Sequence, residues 1–223
     1  MTRHLFVAGT DTGIGKTHAT QALLHAFRAR GERVAGMKPI ASGSERTADG
    51  LRNQDALDLQ AASDPRPAYA VVNPLTLEQA VAPHLAAQAE GVALHWPPLD
   101  EAFATLTRTH DRVVVEGVGG WMVPLAEEMS MEQLPSRWRL PVVLVVGIRL
   151  GCISHARLTA LAIRAHGCEL AGWIANLVDP AMPWIDGNVQ TLRRLLPAPL
   201  LGTLPYGPAP SEAARALELS ALD

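Results

Sequence analysis

Cysteine is scarce in this chain of 223 residues, with Cys152 and Cys168 the only two. They are too few for a disulfide framework, and neither belongs to a Cys-x-x-Cys pair that would bind zinc or exchange thiols, so a reducing compartment is the expected setting. A surplus of positive charge is also missing. The 19 Lys and Arg against 22 Asp and Glu give a formal net charge of −3, which argues against a mainly electrostatic nucleic-acid binder and leaves room for a local basic cleft. Long apolar runs are absent: Pro141–Gly147 falls far short of a membrane span. The apolar run within residues 1–10 is too short for a signal peptide and leads directly into a glycine-rich turn. The cytoplasm is the expected location. With 18 Gly and 17 Pro the chain is neither collagen-like nor of low complexity. These exclusions leave a folded protein with a small-molecule role, long enough to bury a sizeable core.

Short apolar runs alternate with helical patterns. Leu5–Ala8, Val34–Met37, Val113–Val115, Val142–Val146 and Leu170–Ala175 lack polar alternation, as strands buried on both faces of a parallel sheet do. Helices are expected from Lys16 to Arg30, with Gly31 as a stop, and from Ser154 to Ala165, ending at Gly167. A short helix capped by Asn53 should run to Ala62. The proline-bearing stretch from Ser63 to Ala82 reads as loops covering the active edge of the sheet. The order predicts an α/β fold of the P-loop NTPase type: a doubly wound, predominantly parallel sheet with helices on both faces. No repeat or long linker divides the chain, so one domain spanning residues 1–223 is expected.

The strongest local feature is Gly9-Thr10-Asp11-Thr12-Gly13-Ile14-Gly15-Lys16-Thr17, between the first strand and the first helix. Backbone N–H groups at such a turn wrap phosphates, the helix start adds partial positive charge, Lys16 can reach the β- and γ-phosphates, and the Thr17 hydroxyl suits Mg²⁺. Five residues separate Gly9 from Gly15-Lys16 where the strict motif has four, so this is a variant loop; the alternative is a glycine turn followed by a chance Lys-Thr. Val113–Val115 should carry Glu116 to the ligand-binding edge, followed by Gly117-Val118-Gly119-Gly120, where the backbone can approach phosphate. Glu116 is otherwise a strand-end acid in a surface ion pair. Asp55 is either a helix-start charge or a third oxygen ligand beside Thr17 and Glu116. Lys38, ending the second strand, is either a solvated lysine or a cation that neutralises charge in phosphoryl transfer. Ser42 and Ser44 follow in a flexible turn that can hydrogen-bond a substrate.

Taken together, GTDTGIGKT, GMKPIASGSE, GLRNQDAL, VNP, VVVEGVGGW, LPVVLVVGIRLGCISHA, LAGWIAN and PAPLLGTLP resemble dethiobiotin synthetase, from residue 3 to about residue 213. That resemblance implies a homodimeric P-loop enzyme that uses ATP, Mg²⁺ and CO₂ or bicarbonate to close a ureido ring on 7,8-diaminononanoate (7,8-diaminopelargonate). It implies a carbamate, a carbamic–phosphoric anhydride, and release of phosphate on ring closure. Lys38 and Lys16 are then the catalytic cations, and Thr17, Asp55 and Glu116 the Mg²⁺ ligands. Ser42 contacts the diamine end. Gly13, Ile14, Gly15, Lys16, Thr17 and His18 cradle the nucleotide, with Glu116, Gly117, Val118 and Gly119 alongside. Asn176 matches the adenine-recognising asparagine, next to Leu177; Pro205, Tyr206 and Gly207 line the base, and Glu212 lies near the ribose. The far substrate carboxylate falls to Leu150, Gly151, Cys152, Ile153 and Ser154 of a partner subunit. Those residues precede a helix whose free N–H groups suit an anion, and Cys152 is structural there rather than a nucleophile.

Two positions depart from the family pattern. Asn188 stands where better-known members have a tyrosine touching the substrate carboxylate, and Gly13 replaces an acidic residue of some members. The chief rival reading is a P-loop ATPase switch of the partition or division type, but the signature lysine of such switches corresponds here to Asp11. An amidotransferase-type synthetase would need a glutaminase domain for which the chain has no room. The eight histidines form neither H-E-x-x-H nor a clear zinc cluster, against a metal hydrolase.

Overall fold

A computed structural model describes residues 3–223; residues 1 and 2, which the expected domain includes, lie outside the described part. The first half of the chain runs β1 (Leu5–Gly9), α1 (Lys16–Ala29), β2 (Val34–Met37), β3 (Ile40–Ala41), β4 (Glu45–Thr47), β5 (Gly50–Arg52), α2 (Gln54–Ala62), α3 (Tyr69–Val72), β6 (Leu75–Thr76), α4 (Pro83–Glu90), α5 (Trp96–Thr109) and β7 (Arg112–Glu116). Next come β8 (Pro124–Ala126), β9 (Met129–Ser130), α6 (Gln133–Trp138), β10 (Val142–Ile148), α7 (Cys152–Ala165), β11 (Leu170–Leu177), α8 (Ile185–Leu195), β12 (Leu200–Leu204) and α9 (Pro210–Ala213). Short 3₁₀ turns at Ala214–Ala216 and Ser220–Leu222 close the chain.

Six strands form one sheet in the order β12-β11-β10-β1-β7-β2, and every neighbouring pair is parallel. Parallel strands put all their carboxyl ends at one edge, where ligands bind in open α/β sheets. Residues of β1 show why the sheet is sandwiched. Phe6 and Ala8 join one apolar cluster with Leu99, Leu106, Ala156, Ile163 and Leu192 from α5, α7 and α8. Leu5 and Val7 point the other way, into a cluster with Leu23, Phe27 and Leu59 from α1 and α2. An unalternating apolar strand thus supplies both faces. Asn53 caps α2 as expected, its Oδ1 accepting from Ala56 N–H at 3.3 Å.

The stretch from Ser63 to Ala82 is not loop throughout, for it contains α3 and β6. β6 pairs with β3, outside the main sheet, so backbone groups of this cover are satisfied locally. Helix α1 ends at Ala29 with Arg30 as its C-cap, and α7 begins at Cys152, earlier than the pattern suggests. No described helix is long and apolar enough to cross a membrane.

Candidate active site

Strand register assembles the site. Met37 of β2 lies opposite Val115 of β7, so the residues that follow, Lys38 just past β2 and Glu116 at the end of β7, emerge side by side at the carboxyl edge. Val7 of β1 lies opposite Glu116, which brings the turn after β1 to the same place. In that turn Gly15 has φ +78°, and a Cβ there would stand 2.1 Å from Asn176 Nδ2. Both the left-handed backbone and the close approach call for glycine. Asn176, on β11, donates from Nδ2 to the Ile14 carbonyl at 2.8 Å, so the turn is latched to a strand two positions away in the sheet.

Charge is concentrated at this point. Lys38 is buried, and its Nζ lies 2.5 Å from Glu116 Oε1 and 3.1 Å from Asp55 Oδ2. The same ammonium reaches Gly117 C=O at 3.4 Å. Burial opposes the charge on Lys38, but Glu116 and then Asp55 outweigh it, and its pKa is raised. Asp55, in the first turn of α2, feels the opposite balance: desolvation pushes its pKa up, while Lys38, a hydrogen bond from Thr17 and the charge of Lys16 bring it down overall. Lys16 is buried as well and donates to the Asp11 carbonyl at 2.8 Å. Desolvation, reinforced by the nearby Lys38, lowers its pKa to about 8. Asp11 spends its carboxylate on Thr12 N–H and on an ion pair with Arg149, just beyond β10.

The oxygens present suit a small divalent ion. Thr17 Oγ1 donates to Glu116 Oε1 at 2.8 Å, Asp55 adds a second carboxylate, and Glu116 Oε2 is buried with no hydrogen-bond partner. Among the described residues no group of three or more His, Cys, Asp or Glu is arranged to hold a metal. Two carboxylates and a hydroxyl instead leave about half of an octahedral shell to phosphate oxygens and water, the habit of Mg²⁺.

Two recesses share the wall made by Gly13 and Gly15. The larger, about 880 Å³, is lined by Lys16, Thr17, Lys38, Ser42, Asp55, Glu116, Val118 and Gly119 among others. The smaller, about 400 Å³, is lined by His18, Asn176, Leu177, Pro205, Tyr206 and Gly207, with Val178 and Pro208. His18 Nε2 is buried without a partner there, and desolvation lowers the pKa of the ring.

Some expected residues line neither recess. Ile14 is buried against Gly147, contributing its carbonyl rather than its side chain. Glu212 is exposed on α9 and lines neither recess. Leu150, Gly151, Cys152, Ile153 and Ser154 line neither recess of their own chain, and Leu150 is 95% exposed. Cys152 is buried with Sγ 3.9 Å from Asn188 Oδ1. Sequence reasoning missed Thr12, Asn53, Pro83 and Val123 in the larger recess; Asn53 was visible only as a cap, and Val123 carries no chemical signal.

A family model described as an AAA domain matches residues 3–214. The chain is 56% identical to the ATP-dependent dethiobiotin synthetase of Xanthomonas axonopodis pv. citri (strain 306), over 95% of this chain and 94% of that protein. It is 55% identical, over the same shares, to the enzyme of the same name from Xanthomonas oryzae pv. oryzae (strain PXO99A). Among solved structures, chloroplast FtsY from Physcomitrella patens superposes with a TM-score of 0.54 at 18% identity, over 100% of this chain and 65% of that one. MinD, the septum site-determining protein of Pyrococcus horikoshii OT3, solved with Mg-ADP, gives 0.51 at 15% identity, over 96% and 85%. These two likenesses show a shared P-loop fold and no more. More than half of all residues are identical to those of named synthetases across nearly the whole length of both chains, and on that ground the chain belongs to the ATP-dependent dethiobiotin synthetase family.

Proposed function

We propose that this protein, as a single domain in each chain of a cytoplasmic homodimer, closes the ureido ring of dethiobiotin from 7,8-diaminononanoate, CO₂ and ATP. The observation that carries this reading is the Lys38 ammonium, held between Glu116 and Asp55 in the recess that Lys16 and the glycine-rich turn also line. One amine of the substrate adds to CO₂ and loses a proton, giving a carbamate. A carbamate oxygen attacks the γ-phosphorus, the bond to the bridging oxygen breaks, and ADP leaves. The second amine attacks the carbonyl carbon of the mixed anhydride; phosphate departs and a proton is lost as the cyclic urea forms.

Each step gathers negative charge, which fixed cations in a buried site stabilise well. Lys38 serves the carbamate and the transferring phosphoryl group, and Lys16 the phosphate chain. Ser42, in the lining of the same recess, holds the diamine end. Thr17, Asp55 and Glu116 would hold Mg²⁺, which when bound neutralises phosphate charge. The smaller recess takes the base, with Asn176 reading it, Leu177, Pro205, Tyr206 and Gly207 around it, and Glu212 towards the ribose.

Leu150–Ser154 serve the far carboxylate of the substrate bound by the partner. Support comes from their lining neither recess of their own chain and from an apolar strip on α7, where Leu158 and Leu161 are 63% and 61% exposed. The test is turnover by the purified protein with ATP, Mg²⁺ and bicarbonate: ADP release should depend on the diamine, and release indifferent to it contradicts the reading. A switch-type ATPase is disfavoured because Asp11, at the position of the signature lysine, is committed to Arg149.

A further inference from the structure

The Val72-Asn73-Pro74 segment lies outside both recesses, yet it closes a ring of contacts through Lys38. Lys38 stands beyond the β2–β7 ladder, so its backbone groups need partners elsewhere. One short segment supplies both: Lys38 N–H donates to Val72 C=O at 2.8 Å, and Asn73 Nδ2 donates to Lys38 C=O at 2.7 Å. Asn73 is 2% exposed, and its amide is fully used. The same Nδ2 reaches Leu75 C=O at 3.2 Å, while Oδ1 accepts from the Tyr69 hydroxyl at 2.9 Å and from the Thr76 hydroxyl at 3.0 Å. The Tyr69 oxygen in turn accepts from Asn53 N–H at 2.8 Å. Asn53 is the N-cap of α2, and the first turn of α2 carries Asp55, which meets Lys38 Nζ. The ring therefore runs from the lysine carbonyl through Asn73, Tyr69 and the start of α2 back to the lysine ammonium.

We propose that Tyr69 and Asn73 are positioning residues for Lys38, tying its main chain to the same helix start that holds its ammonium. The inference rests on the reading of Lys38 as the cation at the transferring phosphoryl group. A buried amide with every donor and acceptor engaged resists displacement, because movement leaves polar groups unpaired. Positional error is costly where charge must be met at a fixed point. Nothing in the ring touches the nucleotide-base recess, so its loss should slow chemistry more than it weakens ATP binding.

Tyr69→Phe cuts the ring most gently, since the aromatic face under the Arg52 guanidinium, 4.3 Å from the ring centroid, remains. Measured on the full chain in single turnover at saturating ATP, bicarbonate and diamine, ring closure should slow about tenfold while the ATP dissociation constant changes less than about twofold. In an Asp55→Ala background, where the lysine ammonium has lost its tie to α2, the same change should cost less than about threefold. Thr76→Val, which removes a neighbouring hydroxyl's contacts with Asn73 Oδ1 and the Asn73 carbonyl but leaves the Tyr69 link intact, should slow the reaction less than Tyr69→Phe does. An unchanged rate in Tyr69→Phe, an equal factor in both backgrounds, or a parallel loss of rate and ATP affinity overturns the positioning role. Lys38→Ala run alongside separates the two claims: full ring closure there overturns the reading of Lys38, whereas a slow Lys38→Ala with a normal Tyr69→Phe overturns only the role of Tyr69 and Asn73.

Discussion

The two recesses that meet at Gly13 and Gly15 are built in opposite ways. At the larger one, Lys16, Lys38 and Glu116 are buried, and each is held by a charged or main-chain partner. At the smaller one, Tyr206 is 61% exposed, and Pro205 and Gly207 are exposed beside it. The first is a buried charge cluster whose members hold one another in place. The second is a set of surface loops around one latched amide, Asn176. Chemistry should therefore be concentrated in few groups at one end, and nucleotide preference spread over weak contacts at the other.

The largest expected effect breaks the chemistry end alone. Lys38→Ala should lower ring closure about 10²- to 10³-fold, the scale of losing a preorganised charge donor, with ATP affinity by calorimetry changed less than about threefold. Next comes Gly15→Ala, which acts on both ends at once: the left-handed backbone costs about 1–2 kcal/mol, and the new Cβ meets Asn176 Nδ2. ATP affinity should fall at least tenfold or so, and the melting temperature should fall with it. Asn176→Ala isolates the base end. It removes the amide proposed to read the base and leaves the Ile14 carbonyl unpaired, costing about 1–3 kcal/mol of stability; in ATP-versus-GTP competition the variant should discriminate less than the parent, with the single-turnover rate at saturating ATP little changed. Smallest is Tyr206→Ala, worth about threefold in ATP affinity if one exposed aromatic face is lost.

A pH series sharpens the same contrast. With a pKa of about 8, Lys16 is protonated at pH 7 and loses its proton as pH rises past 8. Its lowered pKa means that folding bears the cost of the buried charge in full below pH 8, and that this cost is relieved as pH rises from there towards the ordinary lysine value. ATP phosphates favour the charged form, so binding above pH 8 should take up a proton and weaken with pH. Calorimetry in buffers of different ionisation heat reads the uptake, and Lys16→Met should abolish it.

The strands that hold the larger recess were legible because β1, β2, β7, β10 and β11 are apolar on both faces. β12 was not, since Gly202 and Thr203 interrupt Leu200–Leu204 at the sheet's edge. α3 and β6 are too short to show a period, and they exist because side chains such as Asn73 satisfy the backbone around them. Lys16, Thr17, Lys38 and Glu116 could be named from motif and strand-end position, and Asp55 from its helix start together with the family resemblance; the structure brings all five together. The Asp11–Arg149 pair, 138 residues apart in sequence, and the contacts of Tyr69 with Asn53 and Asn73 depend on the folded geometry alone. No spacing announces them.

The most direct measurement supplies ¹³C-bicarbonate with ATP, Mg²⁺ and the diamine, and follows product mass together with ADP. If the charge cluster performs the proposed ring closure, each ADP is matched by one cyclic urea carrying the label in its carbonyl. ADP formed without labelled urea would contradict the account.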